Sequence, residues 1–248
     1  MWFIGWIMSE LKAGFSANCQ NCGLQKVCFS TGLTKEDIDR LDTIVERKAP
    51  LKKNQHLFMV GDKFTALYVI RAGVVKLYSF SDIGEEIIHG FYLPGDMIGI
   101  DALQSEVHAF NAIAIDIVSV CHFPYAQLCY LGTQVQGLNH KFFSAMSKEV
   151  NECRLHSELL TRRNADQRVA KFIWHMIERY AGRGYASDEF RLGILHRDVA
   201  LYLGLTPETV SRILAKLHAD NIVTWKKKEL IIHNKTVLQG LAGFAICS

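Results

Sequence analysis

Thr206-Pro207-Glu208-Thr209-Val210-Ser211-Arg212-Ile213-Leu214-Ala215-Lys216-Leu217 is the stretch on which the reading of the chain turns. Thr206 is a good N-cap, Pro207 fits the first helical position, and Glu208 complements the positive end of a helix dipole. Val210, Leu214 and Leu217 then share one helical face, and Glu208, Ser211, Arg212 and Ala215 share the opposite one. Upstream, His196-Arg-Asp-Val-Ala-Leu-Tyr-Leu203 reads as a short helix and Gly204-Leu205 as its turn. Helix, glycine turn and capped helix make a helix-turn-helix. The outer face offers a carboxylate for cytosine N4, a hydroxyl, and a guanidinium fork for guanine O6 and N7. Thr206 and Thr209, in the first turn, join Glu208, Ser211 and Arg212 as candidate DNA-binding residues.

Downstream, Ile222-Val-Thr-Trp225 and Leu230-Ile-Ile-His233 read as a hairpin around Lys226-Lys-Lys-Glu229. Lys226, Lys227 and Lys228 suit phosphate contact, which completes a winged helix. The charge distribution agrees. Residues 162–248 hold 14 Lys+Arg and 8 Asp+Glu, while residues 1–161 hold 14 and 17, within a net charge of only +3. A basic C-terminal third beside a mildly acidic remainder suggests a separate polyanion-binding domain, and with the helix-turn-helix the expected partner is double-stranded DNA.

Between about Ala49 and Phe123 the chain reads as short strands punctuated by glycine. Leu67–Arg71 and Val74–Phe80 flank Ala72-Gly73 as in a hairpin. Gly61-Asp62 and Gly95-Asp96 mark two further turns. Ile113, Ile115, Ile117, Cys121 and Phe123 alternate with Ala114, Asp116 and His122, predicting one strand with one inward face. Many short strands without helices between them favour an antiparallel jelly roll.

The period then changes. Val135, Leu138, Phe142, Met146, Val150, Cys153 and Leu160 fall mostly at steps of three and four, predicting a helix over residues 134–162. Such a helix is too long to bury against one small barrel, so a parallel homodimer is expected. Its seam would use Leu138, Phe142, Met146, Val150, Cys153 and Leu160. Asn164-Ala-Asp-Gln opens a second helix that Gly182 and Gly184 end. The expected fold is α+β: a cysteine-rich segment (1–30), a β-roll sensor domain (31–133), a dimerisation helix (134–162) and a winged helix-turn-helix (163–248).

Composition bounds the rest. With 248 residues, 49% apolar, 21% charged and four prolines, the chain is neither disordered nor low-complexity. No apolar run reaches a membrane span. The apolar start Met1–Met8 lacks a preceding basic region, so no signal peptide is expected and Met8 is an alternative start. Seven cysteines, an odd number, therefore fit the reducing cytoplasm better than a disulfide scaffold. Cys19, Cys22 and Cys28 give C-x2-C-x5-C, favouring a soft metal or an iron–sulfur cluster, with zinc as the competitor. A fourth ligand would come from Cys121, Cys129, Cys153 or Cys247. No nucleophile–base pair or phosphate-cradling glycine loop is present, and His56, His89 and His108 are isolated. An enzyme is not expected.

The assembly resembles the CRP/FNR family of transcription regulators, and most of all its oxygen-sensing FNR branch, over nearly the whole chain from about Asn18. The marks are the cysteine triad, the distant Cys121, and Glu208-Thr-Val-Ser-Arg212. The resemblance implies that Cys19, Cys22, Cys28 and Cys121 ligate one oxygen-labile [4Fe-4S] cluster per subunit. Intact cluster would favour the DNA-binding dimer, and oxygen would convert it to [2Fe-2S] and release the subunits. It implies base reading by Glu208, Ser211 and Arg212 at palindromic TTGAT-like half-sites, in genes of anaerobic metabolism that such regulators activate or repress. It also implies RNA polymerase contact through Ser81, Asp82, Gly84, Glu85 and Glu86. Gly99–Ala102 and His108–Asn111 lack the glutamate and Arg-Ser pair of nucleotide-binding relatives, so no cyclic nucleotide is expected. Two departures stand out: Gly23 replaces a frequent serine, and Cys153 occupies a seam position where an aspartate is expected. The alternative is a DNA-binding regulator that senses redox through thiols, Cys153 among them.

Overall fold

The computed structural model describes residues 18–243; the alternative starts Met1 and Met8, and Cys247, lie outside them. Helix α1 (Lys35–Ile44) is capped by the Thr34 side chain and leads into a β-sandwich. Eight of its strands form two four-stranded sheets. One runs β1 (Glu46–Arg47), β8 (Ser119–Pro124), β3 (Ala66–Ala72), β6 (Met97–Ile98); the other runs β2 (His56–Phe58), β7 (Asn111–Ala114), β4 (Val75–Phe80), β5 (Glu86–Tyr92). All pairings are antiparallel. Leu67, Val69, Ile70, Val75, Ala112, Ala114 and Val118 are essentially fully buried, so the sheets enclose an apolar core as a jelly roll requires.

Two strand-level expectations are corrected. Gly73 does not close a hairpin: β3 and β4 lie in opposite sheets, and the true hairpin is β4–β5. Gly73, at φ +81°, turns the chain against the backbone of Ile117–Val118, where no side chain fits. Nor do Ile113–Phe123 form one strand. The chain breaks at Ile115–Val118 and passes from one sheet to the other, which shifts the alternation. Ala112 and Ala114 are therefore buried, Ile117 is 66% exposed, and His122 is buried.

Helix α2 (Tyr125–Gly132) precedes the long helix α3 (Leu138–Arg162), which starts four residues later than its apolar spacing suggests. Asn164 and Gln167 form a capping box for α4 (Ala165–Ala181). The helix-turn-helix is α5 (His196–Tyr202), Gly204 at φ +60°, and α6 (Pro207–Ala219). The wing is β10 (Val223–Lys226) and β11 (Glu229–Ile232), with a third strand, β9 (Glu189–Arg191), beside β11. Helix α7 (Lys235–Leu241) packs back on α4. Among the described residues, no helix is long and apolar enough to cross a membrane.

Candidate nucleic-acid interface and cysteine centre

The candidate DNA-reading face is set by local chemistry. The Thr206 hydroxyl accepts the Thr209 N–H at 3.2 Å and donates to the Thr209 hydroxyl at 3.0 Å, so the first turn of α6 is closed before any ligand arrives. Val210, Ile213, Leu214 and Leu217 are buried beneath it, leaving Glu208, Ser211 and Arg212 exposed along one side. Two devices that sequence reasoning missed hold this helix. The Thr224 hydroxyl lies 2.8 Å from both His218 Nδ1, on α6, and His233 Nε2, just after β11, tying recognition helix to wing. Arg168 donates to the carbonyls of Leu160 (2.6 Å), Arg163 (3.0 Å) and Leu203 (3.0 Å), joining the end of α3 to the helix-turn-helix corner. A capped, basic α4 gave some signal for Arg168; nothing in the spacing of the histidines gave one for Thr224.

The wing lysines divide. Lys226 and Lys227 are exposed, with Lys227 at the turn in the left-handed region (φ 55°). Lys228 instead pairs with Asp116 of the sensor domain at 2.6 Å. The proposed seam divides too. Leu138 is buried at 1% exposure in its own chain's core, Phe142 packs on that core, and Leu160 lies near Gly204. Met146 is half-buried, while Val150 and Cys153 are exposed. Exposed Phe143 and Leu155 lie on the same helix, and the heptad-like spacing of Phe143, Met146, Val150 and Cys153 was there to be found.

Cys19, Cys22 and Cys28 lie near strand β8, within electrostatic reach of Cys121 or of one another. Cys19 lies on a one-turn helix capped by Asn18, and its N–H donates to Asp42 at 2.9 Å. Cys28 closes the short helical turn that starts at Leu24 and packs, like Cys121, against the core around Phe29 and Phe123. Arg47 is the cross-strand partner of Cys121, bonds to Asp42, and reaches Cys19 Sγ at 3.6 Å. Cys19, Cys22, Cys28 and Cys121 are free and half-buried; Cys129 and Cys153 are free and exposed. Burial, reinforced at Cys19 by the Asp42 carboxylate, pushes the thiols of Cys19 and Cys28 upward, and burial lifts that of Cys121 to about 11. Among the described residues, no three His, Cys, Asp or Glu side chains converge on a point as around a single metal ion.

The remaining candidates are accounted for. Ser81–Glu86 is the tip of the β4–β5 hairpin: Asp82, Gly84 and Glu85 are exposed, Ser81 holds the Glu85 N–H, and Glu86 pairs with Lys76 at 2.6 Å. In the stretch that corresponds to a nucleotide cradle, the Asp101 carboxylate takes the Ala109 N–H at 3.0 Å. It also faces buried His108 Nδ1 at 3.4 Å, and the His108 ring stacks on Phe58.

Comparison with known proteins places this geometry. Residues 167–241 match the Crp-like helix-turn-helix domain, and residues 48–131 match the cyclic nucleotide-binding domain family. The chain is 38% identical to the "Anaerobic regulatory protein" of Aggregatibacter actinomycetemcomitans, over 94% of this chain and 90% of that one. It is also 38% identical to the "Fumarate and nitrate reduction regulatory protein" of Yersinia pestis, over 94% and 93%. Among solved structures, FixK2 from Bradyrhizobium japonicum superposes with a TM-score of 0.74 at 27% identity, covering 82% of this chain and 99% of that one. These relatives are regulators rather than enzymes. With a helix-turn-helix whose reading face is exposed, a β-roll of matching topology and this identity over nearly its whole length, the chain belongs to the CRP/FNR family of DNA-binding transcription regulators.

Proposed function

We propose that this regulator responds to oxygen through a [4Fe-4S] cluster, one per subunit, held by Cys19, Cys22, Cys28 and Cys121, and that the cluster controls homodimerisation and DNA binding. The observation that carries the reading is that Cys19, Cys22 and Cys28 lie within electrostatic reach of Cys121 or of one another, with Arg47 between Cys19 and Cys121. The donor set suits a soft iron–sulfur core: four cysteines, half-buried against an apolar floor. When bound, the cluster supplies an oxygen-labile cross-link. The chain's part would be to supply four cysteine sulfurs and to pin residues 19–28 to β8 beside the dimer helix.

DNA binding is proposed to read palindromic TTGAT-like half-sites through Glu208, Ser211 and Arg212. Lys226 and Lys227 would contact phosphate, with Thr206 and Thr209 fixing the helix end. The two-fold pairing would use Met146, Val150 and Cys153 with Phe143 and Leu155. RNA polymerase would meet the hairpin tip at Asp82, Gly84 and Glu85. Asp101 places a carboxylate against the Ala109 N–H in the cradle stretch, which disfavours an anionic cyclic nucleotide there. The names of the relatives, anaerobic and fumarate and nitrate reduction regulators, support anaerobic metabolism genes as targets.

Anaerobic purification tests this directly. About four iron and four sulfide per chain are expected, followed on air titration by bleaching and loss of dimer mass. A colourless protein with one zinc would overturn the reading. The thiol-switch alternative is weaker, because burial and then Glu149 and Glu152 raise the Cys153 thiol and so reduce its thiolate fraction.

A further inference from the structure

Asp96 is only 6% exposed and carries three cations: Lys148 of the long helix at 2.8 Å, Arg179 in the last turn of α4, and Arg183 just beyond that helix. Burial alone would favour its neutral form, but these cations hold it ionised far below the usual carboxylate range. Arg183 also donates to the Pro94 carbonyl, and Asp96 closes its own turn by accepting the Leu93 N–H at 2.8 Å. The turn Leu93–Asp96 is thus clamped to the leading helix of the DNA-reading domain, across more than eighty positions of sequence. Its other side meets the cysteine segment. Gly95 sits at φ +92°, and a Cβ there would come within 2.9 Å of Val27 Cγ2 and 3.2 Å of the Val27 carbonyl. Val27 precedes Cys28 directly. A cavity of about 280 Å³, lined among others by Cys28, Asp96, Lys148 and Arg179, runs through the same junction.

We propose that the turn Leu93–Asp96 is an intramolecular coupling element, through which the cysteine segment sets the position of the DNA-reading domain within one subunit, in addition to any effect on dimerisation. Val27 bears on Gly95; Asp96 carries the displacement to Arg179 and Arg183. The inference rests on the proposed cluster for its trigger and on these contacts for its route. A turn pinned by a buried ion cluster can pass on a displacement of the segment packed against it.

The test uses the full-length dimer with Val27→Ala and Asp96→Asn. Iron content and sedimentation mass are measured first, then DNA affinity with and without iron, at concentrations where both forms are dimers. The wild type is expected to bind its site about tenfold more tightly with iron, and each variant to lose most of that ratio while keeping iron and mass. In iron-free protein, Asp96→Asn is expected to speed hydrogen exchange across Ala165–Ala181 and leave β3 and β8 unchanged. Val27→Ala decides the matter if Asp96→Asn fails to fold. An unchanged ratio in an iron-loaded Val27→Ala dimer would overturn the coupling and spare the cluster. A wild type without iron would remove the cluster and the trigger together, while the exchange result would still report on the clamp.

Discussion

Lys228 at the wing tip donates to the carboxylate of Asp116 at 2.6 Å, across 112 positions of sequence. A lysine that its spacing assigns to DNA phosphate is thereby held by the sensor domain. The Lys228 bond in turn holds Asp116 below its usual carboxylate range. Asp116→Asn is therefore expected to release Lys228, strengthen binding to any DNA sequence, and steepen the salt dependence by about one phosphate contact. Fluorescence anisotropy on random duplex across a salt series measures both; an unchanged slope would leave Lys228 outside the interface.

Arg212→Ala is expected to cost roughly 1–3 kcal/mol at the cognate half-site and to relax preference at the guanine it reads. Removing Lys226 and Lys227 is expected to weaken cognate and random DNA alike. Equal losses on both DNAs for Arg212→Ala would assign it to the backbone instead.

Arg168→Met keeps the aliphatic stem and removes three charged hydrogen bonds to carbonyls. The variant is expected to lose about 2–3 kcal/mol of stability, read from urea unfolding, because those carbonyls are left without their donor. Val210→Ala, in the core under the reading face, is a size-matched comparison that touches none of them.

Stability should also fall on mild acidification. His156 donates from Nε2 to the Tyr202 carbonyl at 2.7 Å and stacks on the Tyr202 ring, and burial depresses its pKa, as it does those of His89 and His196. The unfolded chain therefore binds more protons once pH drops below about 6.5, and folding stability declines from there until the depressed folded-state values are passed. Asp96, held ionised far below its usual range, contributes nothing to that slope. A Tm series between pH 7.5 and pH 5 checks the sign, and His156→Gln should flatten it.

The parts of this molecule that the sequence made legible are those built from neighbours in the chain. Thr206, Pro207 and Gly204 each act within four residues, so the helix-turn-helix could be read outright. The turns at Gly61-Asp62 and Gly95-Asp96 were legible for the same reason. Gly73 was misread because a hairpin and a crossing between sheets need the same local turn; only the pairing of β3 with β8 separates them. Leu138 carries the right period for a seam, yet its burial depends on how α2 meets α3. The clamps at Asp96, Asp116 and Arg168 join positions 5 to 112 residues apart. No periodicity records such pairs.

The hydroxyl of Thr224, shared between His218 and His233, has a consequence for recognition. It fixes the spacing between the proposed base-reading side chains of α6 and the exposed lysines of the wing before DNA arrives. A protein surface with a set span cannot adjust to the width of a groove, so the duplex must do so. Base steps that never touch the protein, but that bend or narrow easily, then become part of what it selects.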